Sequence, residues 1–331
     1  MAEKDEGPIP MTDANEPICS LEPTQYVLWT PPSGRVVETG ADQHPVVLPQ
    51  LPLPLHREDL AGEPTGDAIG RGLYDYLRQF PDCPHNSCYA ELLRDAYPHY
   101  IADLGSQIVM LDHKEVDAPY IRRKLTSLKI LALLDPENPG LLQQIGRVNL
   151  ELGLLFSQLK NCRPHLLAAM GALQHSLKLQ PNNPSCLNQL GQIDFLFGDY
   201  PSAVRRWQGV VELLAEGPIR LALSEKIVQL AGQDIPDHPL VDDLEAIGEA
   251  LDLYVEGDLR SARLILERLE EEGRVPNEFP SPEFYWLLGI CRGRSGDPAG
   301  AFAALECALS LDPEYAPAIE AKCRLIDKGS P

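Results

Sequence analysis

Residues Pro282 to Pro313 read PEFYWLLGICRGRSGDPAGAFAALECALSLDP, two apolar runs of helical period separated by a Ser-Gly-Asp-Pro break. Counted from Pro282, Tyr285, Leu288, Gly289, Gly296, Ala301, Leu305, Ala308 and Pro313 stand at positions 4, 7, 8, 15, 20, 24, 27 and 32. Small residues at 8, 20 and 27 let two antiparallel helices approach closely, large ones at 7 and 24 fill the gaps between them, and proline at 32 ends the second helix. The same ruler laid from Pro184, over PSCLNQLGQIDFLFGDYPSAVRRWQGVVELL, meets Leu187, Leu190, Gly191, Gly198, Tyr200, Ala203, Trp207 and Val210. From Asp243 it meets Ala250, Gly257, Ala262, Leu266 and Leu269. From Pro139 it meets Leu142, Ile145, Gly146 and Gly153, after which Ala169, Leu173, Ser176 and Pro181 arrive late. That unit carries an insertion of about eleven residues on a period of roughly 34.

A unit of this kind cannot bury its apolar face alone, so successive units must stack into one continuous core with capped ends. The pattern resembles the tetratricopeptide repeat (TPR), over roughly residues 136 to 331 and most closely in the units starting at Pro184 and Pro282. This resemblance implies an all-α fold, an α-solenoid of antiparallel helix pairs, acting as a non-enzymatic adaptor or scaffold that holds a peptide or protein partner in its concave groove. Positions 2, 5, 6, 9, 12 and 13 of each first helix share the face opposite the second helix. Here they supply Gln143, Gln144 and Arg147 from one unit and Asn188, Gln189, Gln192 and Phe195 from the next. Amide side chains both donate and accept, which suits an extended peptide backbone; an ordinary solvated polar face is the alternative. Two basic clusters, Arg122, Arg123 and Lys124, and Arg205 and Arg206, could receive an anionic segment by paired hydrogen bonds, a solvated helix face again being the alternative. The lysine and asparagine clamp of some proteins of that family is not reproduced.

Three regions follow along the chain. Residues 1 to 69 form a proline-rich arm expected to run extended, with QYVLWTPPSGRVVETG reading as two short strands around a Pro-Pro-Ser-Gly turn. Residues 70 to 135 read as an irregular helical cap, and 136 to 331 as the repeats, closed by a helix from Ala316. Helix starts are expected near Gly70, Ser87, Pro119, Pro139, Arg163, Pro184, Pro201, Ile219, Leu240, Leu259, Pro282 and Pro298, with proline repeatedly in the first turn, where its missing donor costs nothing.

The formal charge of −21 over 331 residues disfavours nucleic acid and anionic membranes as partners. Neither a basic-then-apolar leader nor eighteen successive apolar residues occurs, so a cytoplasmic location is expected. The eight cysteines are scattered, mostly through apolar helical runs, and read as small hydrophobes of a reducing compartment rather than a disulfide framework.

One stretch raises chemistry: FPDCPHNSCYAELLRDAYPHY, residues 80 to 100. Cys83, His85 and Cys88 are spaced like part of a zinc shell, but His99 would sit about three turns along the following helix and no second cysteine pair stands downstream. A loop followed by a helix capped by Asn86 or Ser87 accounts for the same residues, with Cys88 the candidate for a reactive thiolate. TGDAIGRG at 65 to 72, with Tyr120 and Lys124, imitates the short-chain dehydrogenase fingerprint, but HREDLAGEP precedes it where a buried strand is required, and the gap to the tyrosine is too short. No catalytic residue, metal or cofactor is therefore expected. The alternative function is an enzyme or enzyme subunit with its site in residues 70 to 135.

Overall fold

The computed structural model describes residues 25–60 apart from 40–43, and 62–328 apart from 113–116 and 233–235. Cys19 and the first part of the arm lie outside the described residues. The chain divides into two compact units, Met1–Val148 with Lys178–Gln180, and Asn149–Leu177 with Pro181–Pro331. Fifteen α-helices and four short strands occur among the described residues.

In the first unit the strands are β1 (Tyr26–Trp29), β2 (Val36–Thr39), β3 (His44–Val47) and β4 (Leu53–His56). Both strands of the expected hairpin form, but they do not pair with each other. β1 pairs antiparallel with β4, Tyr26 opposite His56 and Trp29 opposite Leu53. β2 pairs with β3, Val36 opposite Val47, nested between them. Every strand of a two-stranded ladder has a free edge, so Pro45 and Pro54 can sit in strands with their donor-less nitrogens outward. All four β4 residues are buried, and the strand packs on helix α1 (Gly66–Gln79). The proline-rich segment is thus a docked layer of the core, where Val37, Leu48, Leu53 and Leu55 join Ile69, Leu73 and Leu77.

Helices α2 (Asn86–Ala96), α3 (Pro98–Asp112) and α4 (Ala118–Leu134) complete this core. The expected helix from Ser87 stops at Ala96, because the residue before a proline is pushed out of the α region: Tyr97 has φ −133° and ψ 54°, and Pro98 opens a new helix. His99 is on that second helix. Gly70 and Gly72 of the look-alike fingerprint are contact glycines of α1. A Cβ at Gly70 would meet the Tyr97 ring at 2.7 Å, and one at Gly72 the Pro54 carbonyl oxygen at 2.4 Å. The division between the units falls inside α5 (Pro139–Leu154).

The second unit is a helical repeat array. Its hairpins are α7 (Pro184–Leu196) with α8 (Tyr200–Leu213), α10 (Leu240–Glu256) with α11 (Leu259–Glu272), and α13 (Pro282–Arg294) with α14 (Pro298–Leu311). The same joint recurs in each. Gly198, Gly257 and Gly296 have φ of 79°, 90° and 84°, a left-handed conformation that favours glycine. The aspartate that follows, Asp199, Asp258 or Asp297, caps the second helix by accepting from the backbone N–H of Ser202, Ser261 or Gly300. The serine contacts hold the Asp199 and Asp258 carboxyls below their ordinary range. Next in each comes a fully buried alanine, Ala203, Ala262 or Ala301. Across the hairpins the register also holds. A Cβ on Gly191 would come within 2.5 Å of Trp207 Nε1, and one on Gly289 within 2.9 Å of Leu305 Cγ.

The insertion in the first repeat is a 3-10 segment, Phe156–Asn161, ahead of the long helix α6 (Cys162–Leu179). It packs against α10, where Gly248 leaves room for the backbone of Lys160. Three further helices depart from the simple period: α9 (Pro218–Ala231), the short α12 (Arg274–Glu278), and α15 (Ala316–Lys328), whose Ala318, Ala321 and Leu325 close the core beside α14.

Candidate functional site

Helix α9 is the exception in the array, because not one of its residues is buried. Its sequence, PIRLALSEKIVQLA, is apolar on more than one side, which ordinarily marks a helix enclosed by its surroundings. Leu223, Ile227 and Leu230 lean on the core, while Ile219, Leu221 and Val228 are 73%, 62% and 72% exposed. Between α9, the end of α8 and the start of α7 lies a trough of about 520 Å³, within the range of ligand pockets, about 300–1,000 Å³. Pro184 and Asn188 of α7, Val210 of α8, Leu214 just past its end, and Ile219 and Lys226 of α9 are among its walls.

Lys226 is the one charged side chain in that lining. Its ammonium lies 4.7 Å from the ring centre of Phe195 and 4.9 Å from that of Trp207, cation–π contacts that hold it at the wall. Arg206 donates from Nε to the buried Asp194 carboxylate, and Arg220 donates to the Leu214 carbonyl oxygen. Burial pushes the Asp194 carboxyl up, and the Arg206 pairing opposes it.

The amides expected in the groove take different roles. On α7, Asn188 and Gln192 are exposed and Gln189 half-buried, with the Gln189 Oε1 enclosed and lacking a hydrogen-bond partner among the described residues. Asn188 joins the trough wall, and its carbonyl oxygen accepts from Trp207 Nε1 at 3.3 Å. Phe195 is not on a groove surface: it is 5% exposed, covered by Tyr200, Trp207 and Lys226. A ring at the last turn of the first helix is captured by the hairpin's own second helix, a contact that a count of groove positions does not register. In the first unit's part of α5, Gln143, Gln144 and Arg147 are half-buried, and Arg147 donates to Gln144 Oε1 at 3.0 and 2.7 Å.

The basic clusters are less available than their charge implies. Arg122 and Arg123 are half-buried, Arg123 lies 5.9 Å over the Tyr120 ring, and Lys124 is buried. Arg206 is committed to Asp194, which leaves Arg205 exposed, donating to Ser202 Oγ at 2.9 Å.

In the 80–100 stretch, α2 starts at Asn86 after an uncapped His85, so neither Asn86 nor Ser87 is the cap. Asn86 instead clips the loop: its Nδ2 donates to the Pro81 carbonyl oxygen and its Oδ1 accepts from the Ser87 N–H, both at 2.8 Å. Cys83 borders a hollow of about 370 Å³ with Tyr76, Gln79 and Phe80, and burial pushes its thiol up, away from the thiolate a nucleophile needs. Cys88 is exposed. Cys162 and Cys291, in the second unit's core, are pushed up by burial to about 12. Among the described residues the one group of His, Cys or carboxylate ligand atoms that converges is His238, Asp243 and Glu272. His238 Nε2 lies 2.7 Å from Asp243 Oδ1 while Arg274 stands 3.6 Å from Oδ2 and donates to Tyr200 Oη and the His238 carbonyl. With a guanidinium already at the carboxylate, the group ties α10, α12 and the start of α8 together and is a poor cation site.

No protein-family model matches the chain, and no curated protein matches it. Among solved structures it is similar to the crystal structure of the P58(IPK) TPR domain at 2.5 Å, with 14% identity and a TM-score of 0.34, over 80% of this chain and 65% of that one. The chain therefore spans less than two thirds of that structure's length. A likeness this slight carries no weight beside the packing, which identifies the second unit as an array of helical hairpins. No described helix is long and apolar enough to cross a membrane.

Proposed function

We propose that the protein is a non-enzymatic interaction adaptor of TPR type that holds a peptide segment of a partner protein on the α7–α9 face of its second unit. One observation carries this reading: α9 keeps apolar side chains exposed on a helix with no buried residue, beside a 520 Å³ trough whose wall includes the exposed amide Asn188. Exposed aliphatic residues gathered on one element are a mark of a surface that is covered in use. The exposed amides Asn188 and Gln192 supply directional hydrogen bonds to a backbone, and the trough supplies the apolar burial that gives affinity. The charge of −21 disfavours nucleic acid on this surface.

The test is affinity capture from the native lysate with the full chain and with Asn188→Ala/Gln189→Ala/Gln192→Ala. The wild type should retain a defined protein that the triple variant retains at least ten-fold less well, with unchanged circular dichroism. Equal retention by both chains would remove this face from the account.

A further inference from the structure

We infer that the α7–α9 trough selects a short aliphatic segment followed by an acidic side chain that pairs with Lys226, an assignment that rests on the adaptor reading above. The trough lining is aliphatic at Val210, Leu214, Ile219 and Leu223, and Lys226 is its one charged side chain. Ile219 and Lys226 are seven positions apart on α9, about 10 Å at helical rise, which matches about three residues of extended chain or two helical turns. A bound segment therefore places two or three aliphatic side chains in the trough before its carboxylate reaches the ammonium.

Lys226 is poised for that pairing. It makes no ion pair among the described residues, although the chain carries 49 acidic residues against 28 basic ones. The aromatic faces of Phe195 and Trp207 hold the ammonium in position without neutralising it. Arg206 is paired with Asp194, and Lys226 is the one charged side chain in the lining, so the trough offers one positive charge beside an apolar surface. An anionic group arriving there also gains from the partial desolvation of the site. A second copy of this chain is the weaker occupant, since two chains of −21 repel.

The experiment is selection of a phage-displayed library of random dodecapeptides on the full-length chain and on Lys226→Glu. The wild type should enrich aliphatic runs followed by Asp or Glu. Lys226→Glu should enrich the same runs with Lys or Arg in the acidic place, and a selected acidic peptide should bind it at least ten-fold more weakly. Ile219→Asp, at a site 73% exposed and so tolerant of change, should abolish binding of both peptide classes. Enrichment that ignores charge and is unchanged by Lys226→Glu overturns this inference while leaving the adaptor reading standing. Failure to enrich any sequence on either chain, with capture from lysate also unaffected by the α7 substitutions, removes both. Concentration-dependent mass in sedimentation that Ile219→Asp abolishes would instead assign the trough to a second copy.

Discussion

Gly248→Ala is expected to destabilise the second unit by about 3 kcal/mol or more, the upper end of overpacking costs. A Cβ at this position would lie 2.1 Å from the backbone nitrogen of Lys160 and 2.5 Å from its Cα. No rotamer change relieves a clash between two backbones, so either α10 or the 3-10 segment Phe156–Asn161 must move. That interface is fastened by Lys160 to Asp252 and by Arg163 to Asp242 and Glu245, but these pairs are mostly exposed and too weak to hold it against overlap. Urea unfolding of the variant beside Gly171→Ala, where a Cβ meets nothing within 4 Å, isolates the contact from ordinary helix propensity. Equal midpoints for the two variants would mean that the inserted segment does not pack on α10.

The second large effect belongs to the first unit. Gly72→Ala should cost a similar amount, about 3 kcal/mol, because its Cβ would stand 2.4 Å from the Pro54 carbonyl oxygen and 3.0 Å from Leu55 Cα. Gly72 is the point at which strand β4 lies directly on helix α1. Amide hydrogen exchange should quicken first in β1 and β4, since lifting β4 breaks their shared ladder. Gly105→Ala, on α3 with open space around its Cβ, is the control. Unchanged protection of Tyr26–Trp29 in the Gly72 variant would refute the docked arrangement of the proline-rich segment.

Much of the repeat array was legible because close helix approach leaves a rigid spacing of small residues. Gly191 under Trp207, Gly289 under Leu305, and the Gly-Asp joints before Ala203, Ala262 and Ala301 are all local requirements of one hairpin, so each can be read from a window of about thirty residues. Strand pairing was not legible, because alternation in Tyr26–Trp29 specifies a strand but not its partner. β4 became that partner by docking on α1, a long-range contact. Pro98 did signal a helix boundary, one masked by the continuous apolar pattern on either side of it.

The candidate site divides in the same way. Asn188 and Gln192 are exposed on α7 as their repeat positions imply, whereas Phe195 turns into the core because Tyr200 and Trp207 fold over it. The trough was hidden for the opposite reason. Helix α9 has the composition of a buried helix, and composition alone does not disclose that the fold leaves its apolar residues uncovered.

Site-specific photocrosslinking in cells is the most direct measurement of whether the α7–α9 face holds a partner. A photoreactive phenylalanine analogue at Gln192 or Ile219 should yield a discrete crosslinked species with one protein, and the same probe at Leu264, 63% exposed on α11, should yield none of it. Crosslinking to that protein from Leu264 and not from Gln192 or Ile219 would contradict the account.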